Sequence, residues 1–414
     1  MEYFEFIENF IGNPQFATPV EGLYYDFNEG PRLLLPEGNF DITYIDRGYD
    51  TVLCHKSVSG KQRVWTEFCD YVDWEIRIKK NGKEICTLHQ DLRGKNVLVD
   101  LIGGSLGDAV VTMVIVEKFR VARQCSIYML IKQEWEEIFR RAYPQIHFVV
   151  ADFVNKDAMY KKLPDNIYAA YRSNLFFEFI KNRRKKSPWP VDFRVVGTIN
   201  HLLVRFEIDD IANMNKLIPS SLDESKRTIK EPYVCISGRA SEIFKEWNNE
   251  NGWAEVTKYL RKLGYRVVCI DGSGIENGSP LAKALEAGME DFTGYKPLQE
   301  RVDLLYYADF FIGLPSGLSW LAWGTGKKVI MVGGIALPKT DFYTPYKVIN
   351  YDVCHGCIND PHLYRDGGIV WPCYETDHYL ECSKFIFPEM VCRNIDKLMA
   401  DNHLLPPVAR ESRA

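Results

Sequence analysis

Five cysteines toward the carboxyl end of the chain have a type and spacing that predict metal chemistry. Cys354 and Cys357 form a Cys-x-x-Cys pair, and Cys373, Cys382 and Cys392 follow. A group of this kind, with loop residues between its members, is typical of a tetrahedral site of four thiolates. Such a site has no open coordination position, so its role is structural. The alternative is five unrelated core cysteines.

A site of four thiolates leaves one of the five cysteines without a metal-binding role. From Pro388 the sequence predicts a helix with Cys392, Ile395 and Met399 on one face, so we expect Cys392 in the core. Residue types alone suggest zinc, but they do not separate zinc from iron. We predict four ligands, with Cys392 as the substitute for the last of them: Cys354, Cys357, Cys373 and Cys382.

A glycine-rich loop from Gly103 to Asp108 follows an apolar run and leads into a helical pattern. Its glycines allow close approach of a phosphate or a substrate. Ser105 and Asp108 stand where the dinucleotide-binding fingerprint requires glycine, so the loop does not match that fingerprint. A carboxylate at a helix start is commonly a cap. The functional alternative is a general base that deprotonates an acceptor hydroxyl in an interdomain cleft.

Two later features could bind an anion. Lys245 follows an apolar run through a loop, with Trp247 beside it, and could neutralise a diphosphate. The alternative is an exposed lysine next to a core tryptophan. Pro315-Ser316-Gly317 is a sharp turn into a helix, whose free N–H groups and dipole favour a phosphate. The alternative there is an ordinary strand–helix loop that binds nothing.

The elements that must position these residues are predicted by alternating apolar patterns. The segment from Asp291 to Gly334 has the pattern of loop, helix, buried strand, turn, helix and buried strand. A parallel sheet with an anion-binding turn at a strand's carboxyl end is how α/β proteins hold nucleotides. The same alternation predicts strands at 96–102, 126–131, 147–150, 233–237 and 265–270, and helices at 109–120 and 251–263.

The first 93 residues lack this alternation, because their sequence pattern predicts short strands without helices. The strands are expected at 40–45, 51–55 and 72–78, and Asn81-Gly82 predicts a hairpin. This region is either a small packing module or a surface for a partner or for self-assembly. We predict an N-terminal β-rich domain (1–93), a Rossmann-like acceptor-side domain (94–226) and a Rossmann-like nucleotide-sugar domain (227–414) that includes the cysteine site at 354–392.

Composition excludes some classes of function. The chain has 414 residues, of which 46% are hydrophobic and 26% charged, so a large core is possible. A formal charge of −5 argues against a general nucleic-acid binder. No apolar run is long enough to span a membrane and no secretion signal is evident, so we expect a cytoplasmic protein. A basic loop at 181–190 is either solvated or contacts an acidic partner.

With these residues identified, the chain resembles the glycosyltransferase-B architecture and, within it, the bacterial autotransporter heptosyltransferases (the TibC-like family). The wider heptosyltransferase pattern is present in Gly104 to Asp108, Lys245 to Trp247 and Ser316 to Ser319. The wider group usually has Asp-Thr-Gly at the last turn, whereas this chain has Pro315-Ser316-Gly317. Features of the autotransporter branch include FFIGLPSGLSWLAW, EPYVCIS, DFYTPY at Asp341 to Tyr346, and the cysteine cluster.

The resemblance implies a cytoplasmic enzyme that moves heptose from ADP-heptose onto serine hydroxyls of an autotransporter adhesin. It assigns Asp108 as catalytic base. It also implies iron on the cysteine cluster and a homo-oligomer, of the dodecameric ring type. The implied substrate-binding residues are Gly107, Lys245, Trp247, Thr293, Gly294, Ser316, Gly317, Leu318 and Ser319. Two alternatives remain open: a hexosyl- or heptosyltransferase with a glycan acceptor, and a non-catalytic scaffold that binds nucleotide sugars.

Overall fold

The computed structural model describes residues 11–66, 72–152, 154–172, 197–360, 363–365, 368–369, 373 and 377–411. The basic loop predicted at 181–190 lies outside these residues. No helix in the described ranges is long and apolar enough to cross a membrane.

The N-terminal region contains strands and two-residue turns. Asn81 and Gly82 both have positive φ, at 52° and 81°, which gives the turn geometry that an Asn-Gly hairpin needs. The strands are β1 Phe16–Ala17, β2 Tyr24–Asn28, β3 Arg32–Leu35, β4 Asn39–Asp46, β5 Thr51–Ser59, β6 Gln62–Trp65, β7 Trp74–Lys80 and β8 Lys83–His89.

The middle of the chain alternates strands and helices, as the apolar pattern predicts. This part is called the N-terminal half below. Its elements are β9 Asn96–Asp100, α1 Leu106–Arg123, β10 Ser126–Ile131, α2 Glu136–Ala142, β11 His147–Val150, α3 Lys156–Tyr160, β12 Ile167–Arg172 and α4 Thr198–Arg205. A single turn of 3₁₀ helix, Gln133–Trp135, leads into α2.

The C-terminal half begins at β13 and repeats the alternation. Gly264, with φ +93°, ends α5 as the sequence predicts. The elements are β13 Tyr233–Ile236, α5 Gly252–Lys262, β14 Arg266–Cys269, α6 Pro280–Glu286, β15 Glu290–Asp291, α7 Leu298–Tyr307, β16 Phe311–Gly313, α8 Gly317–Gly324, β17 Val329–Val332, β18 Lys347–Val348, β19 Tyr364–Arg365, β20 Gly368–Ile369, α9 Glu381–Lys384, α10 Pro388–Asp401 and α11 Pro407–Glu411. A 3₁₀ turn, Glu224–Lys226, precedes β13, and the 3₁₀ turns after it are Ile243–Lys245, Pro338–Thr340 and Cys357–Asn359.

Among the described residues, the pairing of the strands shows where the strand order of each half reverses. The sheet of the C-terminal half is parallel, in the order β15-β14-β13-β16-β17-β18. Numbered within that half, the order is 3-2-1-4-5-6, the doubly wound arrangement whose ligand crevice lies where the order reverses, between β13 and β16. The N-terminal half has the order β11-β10-β9-β12, so its reversal lies between β9 and β12. The α/β prediction is confirmed.

The N-terminal strands are not all part of a separate module. Strand β2 pairs in parallel with β12, and β3 and β6 extend the same sheet. A four-stranded antiparallel sheet, in the order β5-β4-β7-β8, is separate from it. The boundary predicted at residue 93 therefore does not separate two sheets. Short alternating strands identify an antiparallel region, but they do not say which distant strand completes each pair.

Candidate active site

The N-termini of α1 and α8 meet between the two halves. Each helix follows a strand at its sheet's reversal point, β9 or β16, so both helices start at the ligand-binding edge. A Cβ atom on Gly107 would lie 2.7 Å from Cδ1 of Trp320, and one on Gly317 would lie 3.0 Å from Cβ of Leu106. Glycine is therefore needed on both sides of this contact. Two positive helix ends converge here.

Three aromatic side chains hold the α8 side of this contact in place. The ring of Trp320 packs edge-on against Trp323 and Phe342, at centroid distances of 5.5 and 5.0 Å. Trp323 in turn stacks on Phe342 at 5.5 Å. This cluster explains why FFIGLPSGLSWLAW and DFYTPY occur together in the chain, because residues of the two motifs pack on each other. The role of Trp320 as a contact between the halves was not predicted from the sequence.

A cavity of about 620 Å³ lies between the halves. Its size suits a nucleotide sugar, since small-molecule sites commonly measure some 300–1,000 Å³. Leu106 and Leu318, from the starts of α1 and α8, line it, so the cavity opens beside the two helix ends. The N-terminal half contributes Gln133, Glu134, Trp135, Glu136, Glu137 and Arg140, and the C-terminal half contributes Gly272 and the 294–299 segment with Arg301.

Arg301 organises the cavity wall from the C-terminal half. This guanidinium is almost fully buried and donates to the backbone oxygens of Phe292 (2.6 Å), Gly294 (2.7 Å) and Asp271 (3.0 Å). Burial lowers the pKa of Arg301, which shows how strongly the group is desolvated. Arg301 was not predictable as a site residue, because an arginine inside a helical pattern gives no sign that it will be buried.

Asp271 holds the loop that follows β13. Its buried carboxylate accepts hydrogen bonds from the Ser237 hydroxyl (2.6 Å) and from the N–H groups of Gly238 (3.0 Å) and Arg239 (3.1 Å). Burial raises the pKa of Asp271, against these hydrogen bonds, which lower it. Asp271 also precedes the cavity residue Gly272, so it links the cavity wall to the segment that carries Lys245. Asp271 was not predicted from the sequence either.

Asp108 lies on the first turn of α1, half-buried at the contact between the halves. Its Oδ2 accepts a hydrogen bond of 2.8 Å from the N–H of Ser105, so the capping interpretation holds for this oxygen. Within the described ranges, Oδ1 accepts no hydrogen bond. The loop is further fixed by Lys132, whose ammonium group donates to Gly104 O at 2.9 Å. A capped carboxylate with one available oxygen remains suited to act as a base.

Lys245 and Trp247 have different environments. Lys245 ends the turn Ile243–Lys245, is half-buried, and lies 3.5 Å from the Ser241 hydroxyl. Among the described residues, no carboxylate lies within ion-pairing distance of its ammonium group, so the charge can serve a ligand. Trp247 is 1% exposed, packs edge-on against Trp253 at 4.9 Å and donates to Ile386 O at 2.9 Å. This placement favours the core alternative for Trp247, without direct contact with a substrate.

The remaining substrate-binding predictions fall into two groups. Gly294 and Leu318 line the cavity, and Ser316 is the N-cap residue of α8 with a half-buried side chain. Thr293, next to Gly294, donates its hydroxyl and its N–H to Asp291, at 2.6 and 2.9 Å. Ser319 is fully buried and donates to Leu314 O at 2.5 Å, so its hydroxyl points into the protein.

The four cysteines predicted as metal ligands influence one another electrostatically. Burial and the Cys354 and Cys373 thiols raise the pKa of Cys357 to about 12. Burial and the other three thiols raise the pKa of Cys382 to about 12 as well. Burial is the larger cause of both shifts, and the neighbouring thiols add to it. In contrast, the pKa of Cys392 is raised to about 11 by burial and then by Asp396 and neighbouring glutamates.

This grouping fits a cation held by thiolates. Among the described residues, no three His, Cys, Asp or Glu side chains are gathered at metal-binding distance. A buried set of neighbouring thiols is nevertheless the donor set that zinc or iron prefers, and a cation there would reverse the rise in their pKa values. The charge environment of Cys392 sets it apart from the other four. The choice of Cys382 over Cys392 as the fourth ligand remains a prediction.

Comparison with known proteins identifies related chains. The model of glycosyltransferase family 9 (heptosyltransferase) matches residues 206–353. The autotransporter heptosyltransferase Aah of Escherichia coli is 36% identical over 92% of this chain and 95% of its own length. The autotransporter heptosyltransferase TibC of Escherichia coli O78:H11 is 37% identical over 94% of this chain and 93% of its own.

Solved structures give the same result. The crystal structure of TibC, an iron-containing dodecameric glycosyltransferase, matches with a TM-score of 0.80 and 34% identity over 94% of this chain and 98% of that one. TibC has also been crystallised in complex with ADP-D-β-D-heptose. A further relative, BimC of Burkholderia thailandensis, is an inactive autotransporter heptosyltransferase, 28% identical over 91% of this chain and 86% of its own length.

Proposed function

The chain belongs to the family of autotransporter heptosyltransferases, and on that premise we propose that it transfers heptose from ADP-heptose to serine hydroxyls of an autotransporter adhesin. The observation that carries the proposal is the match to Aah and TibC over more than nine-tenths of the chain. The complex of TibC with ADP-heptose supports the class of donor. The cavity between the halves supplies a site of suitable size in this chain.

In the proposed reaction a serine hydroxyl of the acceptor attacks the anomeric carbon of the donor heptose. The new carbon–oxygen bond forms as the bond from that carbon to the diphosphate oxygen breaks, and ADP leaves with the bonding electrons. Serine is a weak nucleophile until a base takes its proton. Asp108 is assigned that role because Oδ1 is available while the bond from Ser105 to Oδ2 fixes the carboxylate.

The leaving ADP gains negative charge as the bond breaks, and positive groups at the sheet edge would stabilise it. Lys245 provides a cation without a carboxylate partner among the described residues. The turn at Ser316 and Gly317 provides the N-terminal end of α8, with free N–H groups and a favourable dipole. Gly294 and Leu318 are assigned to the donor cavity. Trp247 and Ser319 are buried, so we assign them to the support of neighbouring residues.

We assign Cys354, Cys357, Cys373 and Cys382 as holders of a structural metal, iron by analogy with TibC and zinc as the alternative. Four thiolates would saturate such an ion, so it would supply folding energy and rigidity to the loops that surround it. We further propose a cytoplasmic homo-oligomer, with a dodecamer as the expected size because TibC is dodecameric. Light scattering of the purified protein tests the subunit number.

Two other functions make different predictions. A glycan-directed transferase would act on saccharide or lipid-linked acceptors and leave adhesins unmodified. A non-catalytic scaffold would bind ADP without turnover; the relation to BimC, an inactive family member, favours a test of this possibility. Acceptor and turnover must therefore be measured together.

The decisive experiment is intact-mass analysis of an autotransporter passenger co-expressed with this chain or with its Asp108→Ala variant. We expect heptose mass increments with the native chain and none with the variant, which keeps its fold and its affinity for ADP. Asp157→Ala is the matched control, because Asp157 also lies in the first turn of a helix but is solvent-exposed. Full transfer by a folded Asp108→Ala protein would refute the base assignment. An unmodified passenger with the native chain would refute the proposed acceptor.

A further inference from the structure

The segment that carries Lys245 is held by the segment that carries Cys382. Ser383, which follows Cys382, is 1% exposed. Its hydroxyl donates to the backbone oxygen of Glu246 and accepts a hydrogen bond of 2.7 Å from the N–H of Asn248. The side-chain amide of Asn248 also donates to this hydroxyl, at 3.1 Å. A single oxygen therefore fixes the chain directly after Lys245.

Further bonds join the same two segments. The indole N–H of Trp247 donates to Ile386 O at 2.9 Å, and the side chain of Asn249 donates to Lys384 O at 3.0 Å. These bonds tie the buried tryptophan and its neighbour to α9 and the residues that directly follow it. Buried donors and acceptors are costly to leave unpaired, so the two segments are expected to move together.

The residue before Lys245 is held from the same side. Phe244 is 4% exposed and belongs to a small apolar cluster with Cys373 and Leu380, together with Ile335 and Ala336. Both chain neighbours of Lys245 are thus anchored, one by apolar packing and one by the Ser383 hydroxyl. The half-buried lysine side chain between them therefore extends from a backbone that is held on both sides.

We propose that Ser383 is the positioning residue of Lys245, so that the cysteine-bearing segment sets the affinity of the protein for a nucleoside diphosphate. The proposal rests on the role of Lys245 in the proposed function. Ser383 makes no contact with the ligand. It acts by holding the backbone of Glu246 and Asn248, which fixes where the ammonium group can lie. Loss of this hydroxyl would allow the Lys245 turn to shift, and small displacements of a binding group are costly.

The test is a double-mutant cycle on ADP affinity, measured by calorimetry with full-length protein. We expect Ser383→Ala to weaken ADP binding about tenfold, because the charge-assisted contact of Lys245 with the diphosphate would lose part of its geometry. In the Lys245→Ala background, Ser383→Ala should have no further effect, because the group that it positions is gone. A role confined to general stability would lower ADP affinity equally in both backgrounds, and that result would overturn the proposal.

Controls separate this inference from the proposed function. Ser279→Ala removes a serine that caps α6, where its hydroxyl accepts from the N–H of Ala282 at 3.3 Å, so it should lower stability but not ADP affinity. Bound metal, measured by elemental analysis, should be the same in Ser383→Ala and the native protein; a loss of metal would overturn the assignment to Ser383. Unchanged ADP affinity in Lys245→Ala would instead refute the role of Lys245. An effect of Lys245→Ala without one of Ser383→Ala would refute only the positioning role.

Discussion

Substitution of Gly107 by alanine tests whether the contact between α1 and α8 sets the working arrangement of the two halves. The added methyl carbon would lie 2.7 Å from Cδ1 and 3.2 Å from Cγ of Trp320. The indole cannot easily retreat, because Trp323 and Phe342 pack against it at 5.5 and 5.0 Å. Strain must therefore appear as a displacement of one helix relative to the other.

Gly107→Ala has two opposing effects on stability, the strain of the added methyl group and the higher helix propensity of alanine. Overpacking a tight contact costs about 1–3 kcal/mol. Alanine is favoured over glycine inside a helix by roughly 0.5–1 kcal/mol, and by less in the first turn, where Gly107 lies. Steric strain outweighs this preference, so Gly107→Ala should lower the free energy of unfolding by about 0–3 kcal/mol in urea titrations.

The effect on activity should exceed the effect on stability. Asp108 follows Gly107 directly, while the groups proposed to bind ADP lie on the C-terminal half. A displacement of α1 should therefore reduce heptose transfer by about tenfold or more while ADP affinity stays within about twofold. The control is Gly274→Ala, since a methyl group there meets no atom within 4 Å. Replacing Trp320 by leucine in the Gly107→Ala protein should restore part of the lost transfer.

Two results would refute this reasoning. If Gly107→Ala has native stability and native transfer, the close contact between α1 and α8 is not present in the working enzyme. If transfer and ADP affinity fall together by the same factor, Gly107 acts on the donor site directly and not through the position of Asp108.

The other predictions concern the cysteines and Asp271. Cys357→Ser should lower bound metal and melting temperature more than Cys392→Ser, because Cys357 lies among the other thiols; equal losses would show that the fourth ligand was assigned wrongly. Asp271→Ala should destabilise the fold by about 1–3 kcal/mol and weaken ADP binding, because the buried N–H groups of Gly238 and Arg239 would lose their acceptor. Burial raises the pKa of Asp271 above its ordinary value of 3.8, so the folded state keeps this proton to a higher pH than the unfolded state does. Asp271 therefore makes the free energy of unfolding fall as the pH rises from the unfolded-state pKa to the folded-state pKa. The variant should lack this part of the slope in urea titrations across the acid range, and identical slopes would contradict the assigned burial.

Several elements were predictable because their signals are local. The strands at 126–131 and 147–150 have the predicted bounds, and the helix predicted at 251–263 lies at Gly252–Lys262, ended by a left-handed Gly264. Apolar period and glycine conformation act over a few residues, so the sequence alone carries them. The helix predicted at 109–120 begins earlier, at Leu106, because Ser105 and Asp108 form its first turn.

Long-range pairing was not predictable in the same way. The parallel pairing of β2 with β12 joins Phe27 to Ala169, and no local pattern selects that partner. The side chains of Trp247 and Ser319 point into the core although both lie in motifs associated with the site. In a turn, the direction in which a side chain points depends on the residues that pack against the turn. Sequence period gives the face of a regular element, but it gives little information for irregular loops.

By itself the sequence determined the α/β class, the order of the elements, the cysteine cluster and the resemblance to a family, because each depends on residue type and spacing along the chain. Only the tertiary structure decided how Gly107 meets Trp320, how Arg301 lines the cavity, how Asp271 holds the loop after β13, and how Ser383 holds the chain beside Lys245. The physical reason is that these features depend on side chains brought together from distant parts of the chain. Their burial and hydrogen bonds exist only once both halves and the α9 segment have packed.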